Sequence, residues 1–123
     1  MSEHDEQCAL FHWIAIKSIE YPPLKWSFAI PNGTRTSIGV AKRMKAEGVL
    51  KGASDIFIPI PCHGYHGLFI EMKDKGGSAS PEQRNFIQAT QNLGYLSGVC
   101  HGWIEAAKMI CFYLCISDEG LEG

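Results

Sequence analysis

The sequence predicts an α/β (α+β) fold in which helices flank a central β-sheet. Two runs rich in Ile and Phe, residues 56–60 and 68–72, are separated by Pro and Gly and predict an antiparallel hairpin with a wide connection. Helical patterns lie before and after this pair, and an apolar run at residues 95–100 predicts a third core strand. With 123 residues, 46% of them hydrophobic, the chain has the size of one globular domain, residues 1–123.

The N-terminal part is expected to contain two helices and a strand. Apolar residues at helical spacing predict the first helix over residues 3–19, ending before a Pro-Pro pair. Alternation over residues 24–30 predicts a strand, followed by a turn signal. Thr36 or Ser37 is then expected to cap a short helix that ends at Gly48. Its expected apolar face consists of Ile38, Ala41 and Met44.

The C-terminal part is expected to contain two longer helices. In the segment SPEQ, Ser80 is a cap residue, Pro81 suits the first helical position and Gln83 completes a capping box, so a helix begins here and ends at Gly94. Its expected core face consists of Phe86, Ile87, Thr90 and Leu93. Residues 103–114 predict a helix with little polar surface, whose apolar area is buried either in the core or against a second subunit.

Three charged residues of the hairpin are expected to share one pocket. Asp55 precedes the first strand, while Glu71 and Lys73 lie near the end of the second. Side chains alternate along a strand, so Glu71 and Lys73 point to the same side. Antiparallel neighbours lie about 5 Å apart, which places Asp55 opposite the end of the second strand, beside Glu71.

Such a pocket suits a divalent cation. Two adjacent carboxylates repel each other unless a cation lies between them or one binds a proton. Oxygen ligands with open positions favour Mg²⁺, with Mn²⁺ as a substitute, and the expected ligands are Asp55, Glu71 and the backbone carbonyl of Met72. Lys73 is placed to orient or help deprotonate a water, or to neutralise charge on a phosphate. The predicted chemistry is metal-assisted phosphodiester hydrolysis.

Five motifs occur in order along the chain: IPNGTR, AEGVLKGASDIFIP, GLFIEMK, SPEQ and LGY. The D…ExK order resembles the PD-(D/E)xK nuclease core. The whole series resembles the VRR-NUC (virus-type replication-repair nuclease) domain in its small stand-alone, phage-type form, over about residues 3–114. The resemblance implies a restriction-endonuclease-like core, a central mixed β-sheet flanked by helices. Ser54 stands where the family usually has Pro, a change that concerns loop rigidity more than catalysis.

The resemblance also implies roles for individual residues. Asp55 and Glu71 would bind the metal, Lys73 would act on the base side and Gln83 would be an accessory active-site residue. An acid on the first helix completes the set, and both Glu3 and Glu6 match. The residues alone allow a plainer interpretation, in which Gln83 is a cap residue and the first-turn acids complement the helix dipole. The expected catalytic residues are Asp55, Glu71, Lys73, Gln83 and Glu3.

The formal net charge is −2, but the charges are distributed unevenly. Six of the 13 acidic residues lie at the two ends of the chain, whereas all 11 Lys and Arg residues lie between them. The middle of the chain can therefore present a basic face to DNA. Ordinary solvated charges are the alternative. The candidate DNA-binding residues are Arg35, Lys42, Arg43, Lys45, Lys51, Lys75 and Arg84.

The cysteine pattern predicts reduced thiols rather than disulfides or zinc. Five cysteines form no CxxC pair and leave an odd one over, which favours buried reduced thiols in an intracellular protein. Cys62, His63 and His66 lie close in sequence, but they lack a paired motif and a fourth ligand, so incidental loop histidines are favoured. His101 beside Cys100 is interpreted in the same way.

The resemblance implies a Mg²⁺-dependent, structure-selective DNA endonuclease, and we expect a homodimeric Holliday junction resolvase acting on branched DNA, because small stand-alone members of the family resemble dimeric resolvases. The first alternative is a monomeric flap or nick-directed nuclease. The second is a non-catalytic DNA-binding accessory module, which would have an incomplete acid set. No apolar run is long enough for a membrane span and no signal peptide is recognisable. A cytoplasmic protein of a bacterial host, of phage or prophage origin and without a membrane partner, is expected.

Overall fold

The computed structural model describes residues 1–31 and 37–122. Helices and strands follow one another along the chain in an order close to the predicted one. They are α1 (Glu3–Lys17), a 3₁₀ helix (Pro22–Trp26), β1 (Phe28–Ala29), α2 (Ile38–Ala46), β2 (Ile56–Ile58), β3 (Leu68–Lys73), α3 (Pro81–Asn92), β4 (Leu96–His101) and α4 (Trp103–Leu114). Within the described ranges, no helix has both the length and the apolar character needed to cross a membrane.

The strands form one mixed sheet in the order β1-β2-β3-β4. β1 and β2 are antiparallel, and so are β2 and β3, whose register places Ile56 opposite Ile70. β3 and β4 are parallel, with Leu68 opposite Leu96, and α3 makes the crossover between them. Parallel neighbours need such a crossover, because the chain must return to the same end of the sheet. The predicted hairpin and the predicted mixed sheet are confirmed.

The two faces of β3 have different partners. Leu68, Ile70 and Met72 are buried in the main apolar core, together with residues of α1 and α4. Phe69, Glu71 and Lys73 alternate with them and therefore point to the other face. Helix α3 covers that other face, because Phe86 of α3 packs edge-on against Phe69 at 5.1 Å between ring centres. The charged residues of β3 thus emerge on the α3 side of the sheet.

The predicted strand over residues 24–30 is wrong for most of its length. Pro22–Trp26 is a 3₁₀ helix, in which the amide of Leu24 donates to the carbonyl of Tyr21 at 3.1 Å. Proline fixes φ near a helical value and has no N–H for a strand ladder, so two consecutive prolines favour the tight turn. Leu24 is fully buried, and only Phe28–Ala29 pairs as a strand.

The helix boundaries agree with the predictions, whereas two predicted apolar positions do not. Ser37 caps α2, and its Oγ accepts from the amide of Val40 at 3.3 Å. Ile38 is nevertheless 78% exposed, and α2 contains no fully buried residue. Leu93, expected on the core face of α3, is 68% exposed. The other candidate cap, Thr36, lies outside the described residues.

The apolar surface of α4 is mostly buried within the chain itself. Six of its side chains belong to the core: Ala106, Ala107, Ile110, Cys111, Tyr113 and Leu114. The buried hydroxyl of Tyr113 donates to the carbonyl of Ile60 at 2.7 Å. Phe112 is the exception, at 81% exposure. Core packing therefore accounts for most of the apolar area that the sequence left open between the core and a second subunit.

The five cysteines are free thiols, but their burial differs from the prediction. Cys100 and Cys111 are buried, and burial raises the pKa of the Cys100 thiol to about 12. Cys8 and Cys115 are exposed, because one lies on the open surface of α1 and the other just beyond the end of α4. Buried thiols are therefore the wrong expectation for these two.

Candidate active site

Asp55 and Glu71 lie side by side at the two central strands of the sheet, where β2 begins and β3 approaches its end. Ile56, the first residue of β2, is paired with Ile70 of β3. Asp55, which precedes Ile56, therefore comes opposite Glu71, which follows Ile70. The amide of Asp55 donates to the carbonyl of Ile70 at 3.1 Å, and its Oδ2 accepts from the amide of Met72 at 2.7 Å. The backbone of β3 therefore anchors the Asp55 carboxylate, in the position that strand geometry predicts.

Glu71 is a buried carboxyl group with a strongly perturbed acidity. Only 1% of the residue is exposed, and burial raises its pKa from 4.5 to about 8, with the neighbouring Asp55 carboxyl acting in the same direction. The Lys73 ammonium opposes this shift, and its Nζ lies 3.5 Å from Oε2 of Glu71. Oε1 of Glu71 is buried and has no hydrogen-bond partner among the described residues. Burial and the neighbouring Asp55 carboxyl therefore favour the protonated form of Glu71 in the absence of a cation.

Lys73 brings the third charge to the same place. Its side chain is 12% exposed, and it leaves the same face of β3 as Glu71, as alternation predicts. An ammonium group held in a poorly solvated position interacts more strongly with nearby negative charge than it would in water. Lys73 is thus placed to act on an anionic group that enters beside the two carboxylates.

Gln83 connects the start of α3 to the carboxylates. Its Oε1 accepts from the amide of Ser80 at 2.8 Å, and the Ser80 Oγ accepts from the Gln83 amide at 3.2 Å, which completes a capping box. Its Nε2 donates to Oε2 of Glu71 at 3.1 Å. The cap interpretation and the site interpretation are therefore both compatible with one side-chain position.

An open cleft of about 1370 Å³ contains this cluster. Glu3 from α1 lines the cleft together with Asp55, Glu71, Lys73 and Gln83. The other first-helix acid lies elsewhere: Oε2 of Glu6 accepts from the amide of Trp103 at 2.9 Å, at the start of α4 where Gly102 offers no side-chain cap. Glu3 and Glu6 are the two candidates for the first-helix acid, and of these Glu3 lines the cleft.

Two of the candidate DNA-binding residues line the cleft, and the other described ones lie outside its lining. Lys51 and Arg84 line it, although Lys51 is paired with Glu82 at 3.6 Å and Arg84 donates to the carbonyl of Ala79 at 2.6 Å. Three are exposed residues outside its lining: Lys42 and Lys45 on α2, and Lys75 after β3. Arg43 is paired with Glu47 at 3.9 Å. Arg35 lies outside the described residues.

The donor set fits a hard cation better than zinc. Among residues 1–31 and 37–122, no group of three or more His, Cys, Asp or Glu side chains is arranged to hold a metal. Asp55 and Glu71 would supply two carboxylates to a cation, and the backbone carbonyl of Met72 would supply a third oxygen. In a β-strand, the N–H and C=O groups of one residue point in the same direction. The amide of Met72 donates to Asp55, so the carbonyl of Met72 also points towards Asp55. Such a set, with the buried unpartnered Oε1 of Glu71, suits Mg²⁺, which keeps several waters.

The histidines considered for zinc have separate neighbours. Nε2 of His63 lies 3.0 Å from Sγ of Cys115, whereas the ring of His66 packs against that of Tyr95 at 5.5 Å between ring centres. Nε2 of His101 lies 2.8 Å from the carbonyl of Gly77, in the loop between β3 and α3. The contact between His63 and Cys115 has no local signal in the sequence, because the two residues are 52 positions apart in the chain.

Several further residues of the cleft lining are absent from the predicted site. Gln7 and Met44 both line the cleft, and so does His4. Gln7 follows Glu3 at helical spacing on α1, so the i, i+4 relation could have identified it. Met44 is expected on the apolar face of α2, and no local sequence pattern distinguishes a core position on that face from a position that lines an open cleft.

Gly52 should be the glycine that tolerates a side chain least in this region. It has φ +92°, and an added Cβ would lie 2.7 Å from backbone atoms of Glu82 in the first turn of α3. Gly48 is the matched control, with φ +96° and open space around it. We expect Gly48→Ala to cost about 1 kcal/mol of unfolding free energy and Gly52→Ala to cost roughly 2–4 kcal/mol. Urea denaturation of both variants would measure this, and equal costs would show that the close approach is not maintained in solution.

Comparison with known proteins agrees with the fold described above. The family model for the VRR-NUC domain matches residues 5–103, a range that contains Asp55, Glu71, Lys73 and Gln83 but not Glu3. A solved structure described as a VRR_NUC domain protein is similar, with a TM-score of 0.80 and 27% sequence identity. The similarity covers 96% of this chain and 92% of that one. A search of curated proteins gives no significant match.

Proposed function

This chain belongs to the VRR-NUC family of nuclease domains, and from that membership we propose that it is a structure-selective DNA endonuclease. In this proposal it hydrolyses phosphodiester bonds of branched DNA with Mg²⁺, or with Mn²⁺ as a substitute, and acts as a homodimeric Holliday junction resolvase. The observation that carries the proposal is the convergence of Asp55, Glu71 and Lys73 in one open cleft. This acid set is complete, so a non-catalytic accessory module has no support from the site.

The two carboxylates and the carbonyl of Met72 would hold the cation. When bound, Mg²⁺ would polarise a phosphoryl oxygen and make a coordinated water more acidic. Glu71 must give up its proton to bind a cation, since its pKa is about 8 without one. The hydrogen bond from Gln83 to Oε2 at 3.1 Å fixes the orientation of this carboxylate, so that Oε1 faces a constant direction.

Lys73 would act on the phosphate. Phosphodiester hydrolysis builds negative charge on the equatorial and leaving oxygens, and a fixed ammonium stabilises that charge without reorganising solvent. Its Nζ, 3.5 Å from Glu71, is close enough to the carboxylates to reach a phosphate that they help to bind through the cation. The same group can orient or help deprotonate the attacking water, and the geometry leaves both roles open.

Positive residues beside the cleft would hold the DNA backbone. Lys51 and Glu82 form an exposed pair at 3.6 Å, and exposed ion pairs contribute about 0–1 kcal/mol, so a phosphate can replace Glu82 at little cost. Lys42 and Lys45 are exposed on α2, the helix whose Met44 lines the cleft, and would add positive charge near it. Lysines of this kind bind phosphates of any sequence, which agrees with recognition of DNA shape rather than of bases.

The homodimer is proposed from the family resemblance and from the symmetry of the substrate. A four-way junction presents two equivalent strands, and a two-fold dimer would bring one active site to each. Side chains oppose dimerisation by extension of the sheet across β4, because Gln91 donates to the carbonyl of Ser97 at 3.0 Å and the amide of His101 donates to Glu105 at 3.2 Å. Side chains thus occupy polar groups of the outer strand, and helices are the better candidates for contact.

The burial of most of α4 within the core favours the alternative of a monomer. It leaves Phe112 as the large exposed apolar side chain of that helix. A monomer with one active site would cut a flap or the strand beside a nick. Sedimentation velocity at several protein concentrations distinguishes the two states: a concentration-dependent dimer supports the resolvase, and a monomer at all concentrations supports the alternative.

A cleavage assay tests the function directly. Four-way junction, flap, nicked duplex, intact duplex and single-stranded DNA would each be incubated with Mg²⁺, with Mn²⁺ and with a chelator. We expect paired, symmetric nicks in the junction with either metal and none with the chelator. Preferred cleavage of the flap would support the alternative nuclease. Absence of cleavage of all substrates with both metals would overturn the nuclease assignment.

Gln83 can be separated into its two roles by comparison with Ser80. Ser80→Ala removes the cap but leaves the Gln83 amide beside Glu71, and we expect a loss of about 1 kcal/mol in stability with most activity retained. Gln83→Ala removes both interactions, and we expect an additional loss of roughly 10–100-fold in cleavage rate. Single-turnover rates and urea denaturation would be measured for both. Equal rates for the two variants would assign Gln83 to the cap alone.

A further inference from the structure

A second cleft lies away from the catalytic one and contains a cysteine paired with a histidine. Its volume is about 610 Å³, and none of its lining residues also lines the catalytic cleft. Its walls include Tyr65, Phe112, Tyr113 and Ile116, and Cys115 and His63 also line it. Pockets of this size with mostly apolar walls and a few polar groups are typical of sites for small organic molecules.

The histidine is presented by a tight turn. Cys62 and Tyr65 exchange backbone hydrogen bonds at 3.1 and 2.9 Å, and between them His63 and Gly64 have φ values of +53° and +81°. Positive φ at both central positions is the pattern of a type I′ turn. His63 thus takes a position that Asn or Gly usually occupies, at the tip of the connection between β2 and β3.

The cysteine has an equally unusual backbone. Cys115 follows the last residue of α4 with φ +54° and ψ +43°, the left-handed conformation that usually ends a helix with Gly. Sγ of Cys115 lies 3.0 Å from Nε2 of His63, and both residues are exposed. Unusual backbone conformations at two distant residues therefore bring a thiol and an imidazole into contact at the cleft.

The chain also contains cysteines that lack this arrangement. Cys111 lines the same cleft but is buried, its Sγ faces the carbonyl of Ser117, and burial raises the pKa of its thiol. Cys8 is exposed on α1, with Nε2 of His4 at 3.6 Å from Sγ, and it lines neither cleft. Cys8 is therefore an internal control for Cys115: it is also exposed and also has a histidine nearby, but its histidine is farther away and it does not line the apolar cleft.

We propose that Cys115 is a covalent modification site for α,β-unsaturated carbonyl compounds with an apolar body, and that His63 is its base. In the tautomer with the proton on Nδ1, Nε2 of His63 accepts the thiol proton while Sγ forms a bond to the β-carbon. The π pair of the C=C bond moves towards the carbonyl, and the α-carbon then takes the proton back from His63. One S–C bond and one C–H bond form, no group leaves and no oxidant is needed.

Reaction of the intact protein with N-phenylmaleimide, an apolar α,β-unsaturated imide, tests the proposal. Peptide mapping at several times would give separate rates for Cys115 and Cys8. We expect Cys115 to react at least about ten-fold faster, because general-base assistance and binding in the apolar cleft both act at that site. With acrylamide, which is small and polar, the advantage should shrink several-fold. A Cys115 rate equal to or below that of Cys8 with N-phenylmaleimide would overturn the proposal.

Two variants identify the source of the rate. His63→Asn removes the base but suits the turn, since Asn tolerates positive φ, and the Cys115 rate should fall at least about ten-fold while the Cys8 rate stays constant. An unchanged Cys115 rate would overturn the role of His63 and with it the proposal. Phe112→Ala, at a largely exposed side chain, should slow N-phenylmaleimide but not acrylamide. Equal effects on both reagents would contradict binding in the cleft. Both outcomes are independent of nuclease activity.

Discussion

Asp55→Asn and Lys73→Ala are each expected to reduce DNA cleavage by at least about 10³-fold while leaving affinity for branched DNA nearly unchanged. Asn keeps an oxygen that can accept from the amide of Met72, as Oδ2 of Asp55 does at 2.7 Å, so the hairpin should keep its register. The variant loses the negative charge that a cation requires. Lys73→Ala removes the ammonium next to Glu71 and the charge that would stabilise the phosphate.

Lys75→Ala is the matched control for Lys73→Ala. Lys73 is the last residue of β3 and Lys75 lies two positions beyond it. Lys75 is exposed and does not line the cleft. It should weaken DNA binding modestly and reduce its salt dependence, while the cleavage rate at saturating protein stays near that of the parent. Single-turnover cleavage with fluorescence anisotropy would measure both quantities. Parent-like cleavage by Asp55→Asn or Lys73→Ala would remove these residues from the catalytic assignment.

The metal-free protein is expected to lose stability as the pH rises from about 5 to 9, and Glu71→Gln should abolish that part of the loss. The Glu71 pKa is about 8 in the folded chain against 4.5 ordinarily, so between these values the folded state keeps a proton that the unfolded state releases. The stabilisation is complete below pH 4.5 and disappears as the pH rises through 8. Gln carries no titrating proton, so its difference from the parent isolates Glu71.

A divalent cation should reverse this trend. Binding of Mg²⁺ or Mn²⁺ to the deprotonated site stabilises the folded state, by about 2.7 kcal/mol at a concentration 100 times the dissociation constant. We expect the gain in melting temperature to be larger at pH 8.5 than at pH 5.5 for the parent, and small at both for Glu71→Gln. Thermal denaturation with chelator or metal at the two pH values measures it. Identical pH profiles for parent and variant would contradict the assigned burial of Glu71.

The central part of the site could be predicted because it depends on short-range rules. Alternation along a strand places Glu71 and Lys73 on one face, and antiparallel spacing places Asp55 beside them. The capping box of α3 is likewise encoded in adjacent residues. These rules fix relative positions without any knowledge of how the helices pack.

The features that were not predicted depend on long-range packing. Both Glu3 and Glu6 suit the family pattern, and long-range contacts distinguish them, because Glu3 lines the cleft whereas Glu6 accepts from the distant amide of Trp103. Helical periodicity places Ile38 on an apolar face of α2, but it does not indicate whether that face packs against the core, and the side chain of Ile38 is in fact exposed. The pairing of His63 with Cys115 depends on a turn tip meeting a helix end, for which neither segment carries a local signal.

The double use of Gln83 means that the first turn of α3 and the orientation of Glu71 cannot change independently. When that turn frays, the amide of Ser80 loses its acceptor and the buried carboxylate loses its donor in one event. Hydrogen–deuterium exchange at the Ser80 amide would therefore report the fraction of molecules in which the site is assembled.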